Sequence, residues 1–228
     1  MIPGTAWTIW SPVSVSERPL RVFFGGTFDP VHRGHLAAAE DAYEALQPDA
    51  FSFLPAGDPP HRSATFSPAE QRLRMLQLAV GQRPEFAIDE REMHRAGPSW
   101  MSVTLASLRA EFPEDALVLL LGQDAFNGLT GWHEWRRLPE LAHLVILSRP
   151  GESCDYPAEL AAEVAARTIE GPLVLRQSAA GRFLTLAIRP HAISSTAVRA
   201  QVNDPIALRT LVTEPVADFI EQHGLYQH

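Results

Sequence analysis

From residue 20 onward the apolar positions follow two alternating rhythms. LRVFF (20–24), AFSFLPA (50–56), ALVLLLG (116–122) and HLVILS (143–148) are short, nearly solid apolar runs, the pattern of strands buried on both faces. EFAID (85–89) reads as a further short strand. Between these runs the apolar residues recur at helical spacing: Leu36, Ala39, Tyr43 and Leu46; Leu73, Leu76 and Val80; Met101, Leu105, Leu108 and Phe112. Ser67-Pro68-Ala69-Glu70 predicts a helix start, with Ser67 as cap, Pro68 at the first helical position and Glu70 at the third. Ser99 is placed to cap the next helix. Residues 151–190 give an Ala/Glu-rich helix, then PLVLR and FLTLAI as strands. From Ile193 the pattern shortens to three helices, SSTAVRAQV, PIALRTLV and EPVADFIEQHG, the last stopped by Gly224. Strands alternating with helices predict the α/β class: a Rossmann-like doubly wound parallel sheet with right-handed crossovers, in a single domain with a small C-terminal helical part. That domain spans 19–228. Residues 1–18 hold Trp7 and Trp10 without a sustained period and read as an N-terminal extension with no assigned role.

Composition narrows the classes. The chain has 228 residues, 46% hydrophobic and 20% charged, as expected of a globular protein with one good core. Nineteen basic against 27 acidic residues give a net charge of −8 with no basic run, so no nucleic-acid surface is expected. One cysteine, Cys154, allows neither an internal disulfide nor a thiolate zinc cluster. No apolar run reaches the roughly 20 residues of a membrane helix, and the start does not read as a signal peptide. The expected location is cytoplasmic.

In doubly wound sheets ligands bind beyond the carboxyl ends of the strands, and there GGTFDPVHRGH (25–35) follows the first strand. Gly25 and Gly26 let an anion approach the main chain, Pro30 shapes the turn, and Gly34 lets the helix begin close by. His32 and His35, three apart, project to one side beside a helix N-terminus, where imidazoles and dipole together suit phosphate oxygens. Read alone, the pair favours a solvent-facing feature, or half of a metal site needing a third ligand such as Asp29, over a catalytic role. ISSTAVR (193–199) adds Ser194, Ser195, Thr196 and Arg199 at a second helix start, with hydroxyls, free amides and a guanidinium around one anion-sized space; Ser195 is also a candidate cap.

Together these two motifs resemble the signatures of the nucleotidyltransferase superfamily with H-x-G-H. LPAGDPPHR (54–62), DEREMHRAGPSW (89–100), LGQDAF (121–126), GWHEWRRLPELAHLVILSRPG (131–151) and EPVADFIEQHGLY (214–226) occur in order and resemble the bacterial nicotinate-nucleotide adenylyltransferases over about residues 20–226. That resemblance implies ATP and nicotinate mononucleotide as partners. The reaction would be in-line attack of the mononucleotide phosphate on the ATP α-phosphate, without a covalent enzyme intermediate. Mg²⁺ would come with ATP, with no tightly bound organic cofactor and no metal ligand assigned to the protein. It implies ATP contacts from Gly25, Gly26, Thr27, Phe28, Gly122, Asp124, Ser194, Ser195 and Thr196. Catalytic charge stabilisation would fall to His32, His35 and Arg199, and mononucleotide contacts to His61, Arg62, Met101 and Trp132, with Trp135 packing. An assembly of identical subunits stays open. Two departures stand out. Pro98-Ser99-Trp100-Met101 replaces a frequent P-S-Y-T, so recognition of the pyridine carboxylate would rely on main-chain amides such as that of Met101. His133 stands where a tyrosine is common. Both leave nicotinamide mononucleotide as an alternative substrate. Other rivals are pantetheine phosphate as acceptor, a catalytically silent nucleotide sensor, and a metal-dependent hydrolase built on His32, His35 and Asp29.

Overall fold

The computed structural model describes residues 17–57, 65–149, 151, 154–189 and 193–227. Its strands are β1 (Leu20–Gly26), β2 (Ala50–Pro55), β3 (Phe86–Ile88), β4 (Ala116–Gly122), β5 (His143–Ser148) and β6 (Phe183–Ala187). They form one sheet in the order β3-β2-β1-β4-β5-β6, parallel throughout. The chain winds outward from β1 to one edge and then from β4 to the other. The order therefore reverses between β1 and β4, where doubly wound sheets open their binding crevice.

Nine helices accompany the sheet among the described residues: α1 (Arg33–Leu46), α2 (Ala69–Val80), α3 (Met101–Glu111), α4 (Gln123–Asn127), α5 (Leu138–Leu141), α6 (Ala158–Arg167), α7 (Ser195–Ala200), α8 (Pro205–Leu211) and α9 (Glu214–Gln222). Alternation along β4 shows why its sequence is solidly apolar. Val118 and Leu120 join the core under α1, α2 and α9, whereas Leu117, Leu119 and Leu121 join the core under α3, α5 and α6. None of the helices is long and apolar enough to cross a membrane, among the described residues. Residues 1–16 of the extension lie outside the described residues.

Three expectations change. PLVLR is not a strand: Pro172–Gln177 is a 3-10 turn in which Leu175 is fully buried and Leu173 is 73% exposed. A strand would place these two on one face, and Pro172 lacks the amide a ladder needs. α2 begins one residue later than expected, with Pro68 at the cap position and no side-chain cap; Ser67 is buried behind it. Ser99 does not cap α3 either, since Trp100 takes the cap position and no side chain closes that end.

Candidate active site

The turn from β1 into α1 is built by its aromatic residues as much as by its glycines. Phe28 adopts a left-handed backbone (φ 50°), and its buried ring folds back so far that a Cβ on Gly26 would lie 2.7 Å from it. The same ring meets His35 edge-on at 5.1 Å. His32 caps α1: its Nδ1 accepts from the His35 amide (3.3 Å), and the His35 Nδ1 accepts from the His32 amide (3.2 Å). The two rings stack at 3.7 Å. Because both Nδ1 atoms accept, the neutral form of each ring carries its proton on Nε2. Burial above all, then the charge of Arg149, lowers the His32 pKa to about 4, so its ring is neutral at physiological pH. Gly34 leaves little room here: a Cβ would lie 3.0 Å from the His32 Nδ1 and 3.4 Å from the Ile193 Cβ, so the His32 ring would have to shift.

Two cavities open at this end of the sheet. One, of about 370 Å³, is bordered by the β1 turn, His32, His35, Phe66, Arg149, Ser195 and Arg199. The other, of about 420 Å³, has Leu119 and Leu121 at its floor and Trp132, Met101, Ser99 and Glu92 around it. Gly25, Gly26, Thr27, Asp124 and Ala125 line both. The first brings the guanidinium groups of Arg149 and Arg199 and two imidazoles to one space and suits an extended anion. The second is largely apolar with an aromatic wall and suits a flat ring. Both sizes fall in the range of small-molecule sites.

The expected residues largely converge. Gly25, Gly26, Thr27, Phe28, His32, His35, Gly122, Asp124, Ser195 and Arg199 line the first cavity; Met101 and Trp132 line the second. Ser194, not Ser195, caps α7, accepting from the Ala197 amide at 3.1 Å. Ser195 instead donates to the Pro30 carbonyl (3.0 Å), tying α7 to the β1 turn. Thr196 accepts from Arg199 Nη2 at 3.1 Å, so it supports the guanidinium. Trp135 is buried and packs, as expected. His61 and Arg62 lie outside the described residues. Asp29 is not aligned for a metal: its carboxylate accepts from the Phe66 amide and the Tyr226 hydroxyl, both at 2.7 Å. Among the described residues no three His, Cys, Asp or Glu side chains gather into a metal-binding group.

Known proteins resemble this chain over most of its length. The cytidylyltransferase-like family model matches residues 23–201. The chain is 43% identical over 212 residues to the probable nicotinate-nucleotide adenylyltransferase of Halorhodospira halophila, covering 92% of this chain and 97% of that protein. A namesake from Aeromonas hydrophila is 42% identical over 203 residues, covering 89% and 95%. The chain belongs to the nicotinate-nucleotide adenylyltransferase family. The fold is likewise that of the Plasmodium falciparum nicotinic acid mononucleotide adenylyltransferase complexed with NaAD, with a TM-score of 0.69 at 15% identity over 91% of this chain and 97% of that one.

Against the nicotinate-nucleotide adenylyltransferase pattern, the two departures prove to be neighbours. The Trp100 and His133 rings lie 4.6 Å apart, joining the approach to α3 with the loop that carries Trp132. Met101 opens α3 beside the second cavity, and that helix start has no side-chain cap. Three site residues escaped the sequence. Arg149 follows β5, and the carboxyl-end rule applied to that strand finds it. Glu92, 2% exposed and accepting from Thr104 Oγ1 at 2.7 Å, borders the second cavity; burial raises its pKa despite that bond and the Arg95 charge. Arg72, fully buried, donates to the carbonyls of Thr27 (2.8 Å), Ala56 (2.7 Å), Gly57 (2.5 Å) and Ser67 (3.3 Å). No local pattern marks it.

Proposed function

We propose that the chain transfers the adenylyl group of ATP to nicotinate mononucleotide, giving nicotinate adenine dinucleotide and pyrophosphate, a step of NAD biosynthesis, in the cytoplasm. The observation that carries this reading is the pair of cavities joined along Gly25–Thr27 and Asp124–Ala125. A triphosphate in the cavity with Arg149 and Arg199 and a pyridine nucleotide in the apolar one bring a phosphate to each side of that shared rim. The mononucleotide phosphate is already an anion and needs no base. The protein's task is to align it with the α-phosphorus and to meet the charge that develops toward pyrophosphate. The Nε2–H groups of His32 and His35, the Arg199 guanidinium and the amides of the β1 turn supply those donors. Trp132 offers a face for the pyridine ring.

Mg²⁺ enters as the ATP complex, neutralising phosphate charge. The donor set fits a cation held mainly through phosphates, with Asp124 the carboxylate that borders both cavities. The acid mononucleotide is favoured over the amide because the amide-rich start of α3, uncapped by any side chain, attracts a carboxylate. The test is pyrophosphate release with ATP-Mg²⁺ and either nicotinate or nicotinamide mononucleotide. The expected outcome is turnover with a kcat/KM at least about tenfold higher for the acid, the range set by one charged contact. Equal values would remove the acid preference, and silence with both would leave a nucleotide sensor.

A further inference from the structure

Asp29 sits in the middle of a buried relay that no part of the chemistry above uses. Its side chain is only 6% exposed, and Tyr226, beyond α9, is 9% exposed. Oδ1 accepts from the Tyr226 hydroxyl at 2.7 Å, and Oδ2 accepts from the Phe66 amide at 2.7 Å. The Asp29 main-chain carbonyl accepts from Arg199 Nη1 at 2.6 Å. Phe66 then covers one face of the same guanidinium, 4.0 Å from ring centroid to Cζ, although its own side is 60% exposed. Four stretches far apart in sequence thus meet around one residue, Asp29: the β1 turn, the approach to α2, α7 and the segment after α9. An aromatic ring left so exposed is explained by what lies under it, the flat face of a cation.

We infer that Tyr226 and Asp29 are positioning residues for Arg199: the tyrosine hydroxyl fixes the carboxylate, and the carboxylate sets Phe66 over the guanidinium while its own main chain holds the guanidinium's edge. A free arginine side chain has many rotamers, and ordering it at the moment of binding costs affinity. Donors that stabilise developing charge act best when they need no rearrangement. Here two edges and one face of Arg199 are fixed before any ligand arrives, leaving its remaining N–H groups beside the first cavity. Burial above all keeps the Tyr226 phenol protonated far above physiological pH, so the donor is constant.

The inference rests on reading the first cavity as the ATP site. Tyr226→Phe removes one oxygen and keeps the ring in the core. The expected result is a roughly tenfold loss of kcat/KM for ATP, the scale of one hydrogen bond to a charged acceptor, with KM for the mononucleotide unchanged. Asp29→Asn keeps one acceptor and should lose activity in the same direction. The double variant should be no worse than the more impaired single variant, because both act through one relay. Phe66→Leu, at an exposed position, tests the same end without touching the core and should raise KM for ATP several-fold. Binding of a non-hydrolysable ATP analogue, measured by calorimetry, should weaken in parallel in all three. Unchanged ATP parameters in Tyr226→Phe and Phe66→Leu, or equal losses for both substrates, would overturn the inference. Wild-type protein silent with both mononucleotides would overturn the functional reading instead, and analogue binding would still decide the relay.

Discussion

His32 and His143 are both held neutral, for unrelated ends. His32 serves the site, while His143 serves the sheet: its Nδ1 accepts from the Arg182 amide (3.0 Å) and its Nε2 donates to the Ser178 carbonyl (2.9 Å). Burial is the main cause that lowers each pKa to about 4 from the usual value of about 6.5. Between those values the unfolded chain binds protons that the folded one refuses. The stability contributed by the neutral rings is therefore fully present above pH 6.5 and is lost as pH falls toward 4. Urea unfolding across that window should show it. In His143→Gln the acid-side slope should be shallower by up to about 1.4 kcal/mol per pH unit, the share of one group, even if the variant is less stable at pH 7. A slope equal to wild type would mean that His143 is protonated in the fold.

At the scale of elements, one side chain of α2 spans the loops after β1 and β2. Arg72 reaches both, and shortening it removes the donor it gives to four carbonyls. Arg72→Met should destabilise the protein by about 3 kcal/mol or more, given about 1–3 kcal/mol for each buried polar group left unmet. It should also raise KM for both substrates together, because the two loops border both cavities; Arg72→Lys should recover only part. Thermal unfolding and two-substrate kinetics check the pair of effects. The sequence concealed this role because helical spacing put Leu73 on the inner face of α2. Leu73 is half-buried, and the buried face runs through Arg72, Met75, Leu76, Ala79 and Val80. A charged residue on a core face gives no periodic signal. The solid runs of β1, β2, β4 and β5 were legible since burial on both faces leaves one pattern. PLVLR was not, because a buried Leu175 beside an exposed Leu173 looks the same in one dimension as a strand. His32 and Arg199 could be named from their motifs, but Phe66, Asp29 and Tyr226 meet only through tertiary structure.

For the whole molecule, reversal of strand order between β1 and β4 puts two cavities side by side instead of one behind the other. They touch along a strip only as wide as Gly25–Thr27 and Asp124–Ala125. Such a layout acts as a bivalent receptor. A molecule carrying an adenosine polyphosphate at one end and a pyridine nucleoside at the other, tethered by a short bridge, engages the second cavity intramolecularly once the first is filled. Short tethers give millimolar effective concentrations. The tethered compound should therefore bind at least about a hundredfold tighter than its better half, and the gain should vanish once the bridge is too short to cross the glycine strip. Competition calorimetry over a series of bridge lengths would measure the width of that strip from solution.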